Sequence, residues 1–122
     1  MIGYTTFGTN DLPRAAAFYD ELLALMGAKR FFDSAGGVGW GVAQDKPMVC
    51  VMKPFDGQPA SVGNGTMVGL AVLEPAQVQA LHAKALALGG KDEGAPGPRG
   101  EGFYAAYFRD LDGNKLAAVC MG

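Results

Sequence analysis

One histidine, His82, and two cysteines, Cys50 and Cys120, are the side chains best suited to nucleophilic or metal chemistry in this chain. The cysteines form neither a CxxC pair nor a disulfide framework, so buried free thiols in a reducing compartment are expected. A nucleophilic Cys50 would need a histidine or a helix N-terminus to lower its pKa. The sequence around it supplies neither, and Cys50 reads as a small buried hydrophobe. Asp92 and Glu101 border a glycine- and proline-rich stretch and have the chemistry of a general acid or base. No neighbour in sequence tunes either of them, so both read as solvated carboxylates. Phosphate cradles are absent, since no GxGxxG or GxxxxGK[ST] pattern precedes a helix.

Composition narrows the partners. A formal charge of -2 and 18% charged residues leave no basic stripe for nucleic acid or an anionic membrane. No apolar run approaches the roughly 20 residues of a membrane span, and the N-terminus lacks the charged and apolar regions of a signal peptide. The expectation is a cytoplasmic protein whose partner is a small molecule. A length of 122 residues suits one domain with one core.

These residues are positioned by an internal repeat. A shift of 63 residues sets Asp11 opposite Glu74, Phe18 opposite Leu81, Leu23 opposite Leu86, Leu25 opposite Leu88 and Gly27 opposite Gly90. A cap, an apolar stripe and a helix stop thus align together, and two strand–helix units that cannot bury their faces alone imply a fold completed by duplication. In the first copy a strand over about 2–9 leads to Asn10-Asp11 as a cap, with Pro13 in the first turn. A helix over about 12–26 follows, with Ala15, Phe18, Leu22 and Leu25 at helical spacing. Strands are expected near 29–33, 38–43 and 48–53. The second copy runs strand 66–73, helix 75–88, then strands near 91, at 103–109 and at 115–121. This gives an α+β domain of two βαβββ modules, 1–54 and 66–121, joined by a polar linker at 55–65, with a curved mixed sheet and both helices on one face. Residues 94–102 read as a flap. Arg99 is its most functional-looking residue, against the plainer reading of a solvated arginine in a solvated turn.

Strand alternation decides which side chains face away from the helices. Val68, Leu70 and Val72 form an apolar row under the second helix. The repeat carries that parity back to the first strand, so Tyr4, Thr6 and Gly8 share the helix-free face. Allowing four extra residues in the second module, Val49 and Val51 match Leu116 and Ala118 beneath the helices. Cys50 and Ala117 then lie on the open face, where twist makes a trough suited to a ligand. Trp40 and Tyr107 are matched between modules and, with Tyr4, Met48, Met52 and Met67, offer an aromatic and thioether lining. Trp40 is the leading candidate for ligand stacking. His82, opposite Tyr19, is expected to face solvent or the helix–sheet seam.

Asn10-Asp11-Leu12 and Phe18-Tyr19, together with Tyr107-Phe108-Arg109-Asp110-Leu111-Asp112-Gly113-Asn114 near the end, resemble the vicinal oxygen chelate superfamily. That group includes glyoxalase I, extradiol dioxygenases, and fosfomycin- and bleomycin-resistance proteins. The second segment is similar to the family's Asp-Pro-Asp-Gly-Asn turn, although local backbone bonding by Asp110 and Asn114 explains it equally. The resemblance implies paired βαβββ modules and a homodimer. Metal-dependent members carry a His in the first strand and a Glu in the last strand of each module, and here those positions hold Tyr4, Cys50, Met67 and Ala117. Alanine has no donor, methionine is a soft thioether, a neutral phenol with a pKa near ~10 is a poor ligand, and one thiol does not make a site.

The expectation is therefore a metal-free, cofactor-free protein that binds a small, partly apolar molecule. Its binding residues would be Tyr4, Thr6, Trp40, Met48, Cys50, Met52, Met67, Arg99, Tyr107 and Ala117. A metal-dependent lyase, dioxygenase or resistance transferase with atypical ligands is the enzyme alternative. A structural or regulatory partner protein, its trough filled by its own side chains, is the third class.

Overall fold

A computed structural model describes all 122 residues. The chain runs β1 (Tyr4–Gly8), α1 (Leu12–Ala24), β2 (Lys29–Asp33), β3 (Gly37–Gly41), β4 (Met48–Met52), β5 (Val68–Ala71), α2 (Pro75–Ala87), β6 (Lys91–Pro98), β7 (Phe103–Arg109) and β8 (Lys115–Met121). It divides into two compact units, Met1–Val62 and Gly63–Gly122. The expected α+β arrangement of two βαβββ modules is present. Strand hydrogen bonding closes within each module, giving one four-stranded mixed sheet ordered β1-β4-β3-β2 and another ordered β5-β8-β7-β6.

In the first unit Asp11 caps α1 by accepting the Arg14 amide on Oδ1 at 3.2 Å, and Pro13 sits in the first turn, where its missing N–H costs nothing. Gly27, at φ +78°, lets the chain leave the helix. Phe18, Tyr19, Leu22 and Leu23 bury the face of α1, while Val38, Trp40 and Val51 supply the sheet side of that core. In the second unit Gln77 folds back so that its Oε1 accepts the Leu73 and Glu74 amides at 3.0 Å, opening α2. Val78, Leu81 and Ala85 meet Phe108, Leu116 and Ala118. Although Gly90 aligns with Gly27, the left-handed residue after α2 is Gly89, at φ +101°. Gly90 serves close approach instead, because a Cβ there would stand 2.6 Å from the Arg109 carbonyl oxygen and 2.8 Å from that of Ala85.

The segment 94–102, expected to be a flap, is strand as far as Pro98. β6 is an edge strand, so Pro96 and Pro98 need donate nothing outward, and register shifts between Asp92 and Gly97 absorb the irregularity. The tight turn before β8 is organised by Asp110, whose Oδ1 accepts the Asp112 and Asn114 amides and whose Oδ2 accepts the Asn114 side-chain amide, all at 2.9 Å. Both residues are buried, and the turn motif holds backbone.

A polar network ties β2 and β3 to α1. Asp20 Oδ1 accepts Arg30 Nε at 2.9 Å and Trp40 Nε1 at 2.8 Å, and Oδ2 accepts Arg30 Nη2 at 2.7 Å. The Arg30 bonds come first among the causes that hold the Asp20 carboxyl below its usual value of 3.8, with the indole N–H adding to them against the opposing effect of burial. A depressed folded-state pKa gives stability that is present above 3.8 and lost as pH falls through the lower folded value. In acid titration followed by circular dichroism, Asp20→Asn is expected to be less stable at neutral pH and to show a shallower loss below pH ~4 than the parent.

Candidate functional site

The helix-free face of the first unit is set by two registers. β1 and β4 run parallel with Tyr4 opposite Met48, Thr6 opposite Cys50 and Gly8 opposite Met52. β4 and β3 run antiparallel with Cys50 opposite Gly39 and Met52 opposite Gly37. Strand β3 therefore presents three glycines, at 37, 39 and 41, to this face. Side chains of its neighbours occupy the space. A methyl on Gly37 would collide with the Met52 thioether, one on Gly39 with the Phe32 ring, and one on Gly41 would stand 3.0 Å from the Phe31 ring and 3.3 Å from Met48 Cγ. A register shift between Arg30 and Phe32 turns both phenylalanines toward the same side, which simple alternation forbids. Phe31 and Phe32 thus join the site without having been anticipated. The alternating glycines of Gly37-Val38-Gly39-Trp40-Gly41 were the available signal, since glycine inside a strand often marks the close approach of another group.

With its middle filled in this way, the face keeps two concavities of about 660 Å³ each. One lies by Phe31, Phe32, Val42 and Met48. The other is walled by the returning chain and lined by Thr6, Gly8, Met52, Phe55, Pro59 and Ala60. Asn10, expected to share the helix cap with Asp11, instead clamps that wall. Its Oδ1 accepts the Ala60 amide at 2.7 Å and its Nδ2 donates to the Ala60 carbonyl at 3.3 Å. Asn10→Ala should speed hydrogen exchange at the Ala60 amide by roughly tenfold while costing no more than about 1.5 kcal/mol of global stability, as expected for exposed bonds.

Trp40 is corrected. Its pairing partner is Val49, on the helix side, and it is 1% exposed with its ring 5.6 Å from Tyr19 and its N–H on Asp20. The counterpart of Trp40 is Phe108, opposite Leu116, and the counterpart of Tyr107 is Gly39. A slip of one residue in matching the modules exchanged the two faces. Cys50 lies on the helix-free face but is 1% exposed, and burial pushes its thiol pKa up, the reverse of activation. Tyr4 and Met67 are exposed, Thr6 is exposed, and Met48 and Met52 are half-buried.

In the second unit Gly69 stands opposite Ala117 and Ala117 opposite Tyr107, so these share the helix-free face. Ala117 is buried at 3% exposure. The Arg99 guanidinium lies 5.5 Å and the Lys115 ammonium 5.6 Å from the centre of the Tyr107 ring. His82 is at the helix–sheet seam, its ring edge toward Phe108 and its Nε2 2.9 Å from Asp92 Oδ1. Asp92 therefore does have a partner, and that bond, followed by the Gly94 amide, lowers its carboxyl pKa. Glu101 is exposed.

In neither unit do the positions that the family resemblance implies fit a divalent cation. Thr6–Cys50 and Gly69–Ala117 are directly opposed pairs in their respective sheets, so the two parallel registers reproduce each other and keep Cys50 and Ala117 equivalent. Of Tyr4, Cys50, Met67 and Ala117, none is a carboxylate or imidazole, and no three His, Cys, Asp or Glu side chains gather in a metal-holding group.

A family profile described as Glyoxalase/Bleomycin resistance protein/Dioxygenase superfamily matches residues 1–118. The crystal structure of a glyoxalase/bleomycin resistance protein from Albidiferax ferrireducens T118 is similar at a TM-score of 0.92 and 35% identity, covering 100% of this chain and 99% of that one. A lactoylglutathione lyase from Agrobacterium tumefaciens (TM-score 0.69, 20% identity, 98% and 92% covered) shares the fold. So does a fosfomycin resistance protein from Mesorhizobium loti (TM-score 0.71, 16% identity, 100% and 92% covered). No curated protein sequence matches the chain. The near-complete profile match and the full-length relative agree: the protein belongs to the glyoxalase/bleomycin resistance protein/dioxygenase superfamily.

Proposed function

We propose that this chain binds a small, partly apolar molecule on the helix-free face of its first unit, without a metal ion held by its own residues. The observation that carries the reading is the concavity of about 660 Å³ beside Thr6, Met52 and Phe55, within the usual size of small-molecule sites, on a face that offers thioethers and aromatic rings, with Asp56 the one carboxylate in the lining and no cluster of metal-holding side chains. Apolar lining supplies affinity through area removed from water, and the Thr6 hydroxyl and the backbone of the returning chain supply direction. The one carboxylate of this lining, Asp56, accepts the Gln58 amide at 2.9 Å and has no histidine or cysteine beside it in the lining, which favours sequestration or carriage. Homodimerisation, implied by the family, belongs to the same proposal. Sedimentation showing only a 12.6-kDa species at high concentration would remove it.

Isothermal titration against a broad library of metabolites and antibiotics tests the binding reading. Saturable heat with at least one partly apolar compound, weakened by Met52→Asp, is expected. Uniformly flat traces on folded protein would sink it.

A further inference from the structure

Two cations of the second unit share one aromatic ring and neither is in a salt bridge, although Lys115 is near enough to Glu93 to help lower its carboxyl pKa. Tyr107 on β7 and Lys115 on β8 face the helix-free side, and Arg99 reaches the same ring from the end of β6. Cations gather at aromatic faces by attraction to the ring quadrupole. Two of them on one ring repel each other, which an anion between or beside them relieves.

The arginine is held in place rather than loose. Its Nη2 donates to the Ala95 carbonyl and its Nη1, at 3.4 Å, to that of Pro98. Gly94 and Gly97 make the room, for a Cβ on Gly94 would stand 2.9 Å from the Tyr107 ring and 3.4 Å from Arg99 Nη2, and one on Gly97 would stand 3.0 Å from Arg99 Nη1. A guanidinium carries five N–H donors, so two backbone bonds leave donors on its fork for an incoming oxygen pair. The nearby carboxylate, Glu93, is taken by Arg109 at 2.8 Å, a bond that lowers its pKa ahead of weaker help from Lys115 and Lys91. Glu101 is two residues beyond Arg99 and exposed, without an ion pair to it.

We propose that Arg99 and Lys115, set against Tyr107, form a binding site for a small oxyanion, a carboxylate or phosphate group, on the helix-free face of the second unit. The fork of Arg99 engages two oxygens of one planar or tetrahedral group, Lys115 adds a point charge, and Tyr107 fixes the separation of the two cations. The site stands on the second unit alone and does not require the apolar ligand proposed for the first.

The test is a titration of ¹⁵N-labelled full-length protein with sodium benzoate and, separately, with inorganic phosphate, at ionic strength held constant with sodium chloride. Saturable shifts of the Gly94, Arg99, Tyr107 and Lys115 amides are expected, and stronger binding of one anion assigns the carboxylate or the phosphate class. Arg99→Gln and Lys115→Gln should each weaken binding about tenfold, the loss of one charge-assisted hydrogen bond, with amide dispersion elsewhere unchanged and Lys46→Gln without effect. Absence of saturable shifts with both anions, shifts that chloride alone reproduces, binding in both variants as tight as in the parent, or shifts confined to Thr6, Gly8 and Ala60 would each overturn the site. Heat from an apolar library compound would persist in any of these cases if the first-unit reading stands.

Discussion

Trp40→Ala is expected to destabilise the protein by about 3–5 kcal/mol, a large part of the total stability of a small domain. The indole is the only tryptophan in the chain, and it fills the helix–sheet core of the first unit at 1% exposure, between Tyr19 at 5.6 Å and the Arg30 guanidinium at 6.0 Å. Truncation removes that packing and also takes one donor from the Asp20 carboxylate, which keeps only its Arg30 and solvent partners. Urea unfolding measures the loss. Being the sole tryptophan, Trp40 also reports its own surroundings: blue-shifted emission, poorly quenched by iodide and unchanged on ligand binding, is expected. A destabilisation below about 1 kcal/mol, or emission that shifts with a bound ligand, would return Trp40 to the binding face.

Asp110→Ala should cost about 3 kcal/mol, and the mechanism differs. The carboxylate satisfies two backbone amides and the Asn114 side chain at 2.9 Å, and Asp110 and Asn114 are 5% and 8% exposed. Removing it leaves buried donors without a charged acceptor, which is dearer than losing an exposed bond. Asp110→Asn keeps one acceptor oxygen and is expected to lose about half as much. The signature is local, with hydrogen exchange accelerated at Asp112 and Asn114 ahead of global unfolding. An alanine variant as stable as the parent would show that the turn is held by Gly113 and the β7–β8 pairing alone.

Much of this fold was legible because repeated local signals agreed. The capping residues Asp11 and Glu74, the α1 stripe through Phe18 and Leu22, and the strand alternation around Cys50 and Ala117 each follow from period and chemistry that act within a few residues. The misreadings have equally local causes. A one-residue offset between modules sets Trp40 on the ligand side, because such a slip reverses every side chain in a strand. Phe31 and Phe32 escaped notice because a bulge, invisible to alternation, turns both one way. Residues 94–98 looked like a loop because glycine and proline are loop formers, yet an edge strand tolerates both. Asn10 could be read as a cap, but its hold on Ala60 across a long sequence separation has no local trace. The Arg99–Tyr107–Lys115 grouping likewise needs three strands brought together, although Arg99 and Tyr107 were each singled out as candidates.

The central proposal is that this superfamily member binds its ligand without a metal ion of its own, because the family resemblance sets Tyr4, Cys50, Met67 and Ala117 where metal-dependent members carry histidine and glutamate. Inductively coupled plasma mass spectrometry tests it most directly, on protein purified without a histidine tag and without chelators, with protein concentration measured on the same sample. Nickel, zinc, iron and manganese all far below one equivalent per chain are expected. A near-stoichiometric content of any one of them would contradict the account and make Tyr4, Cys50 and Met67 the first positions to mutate.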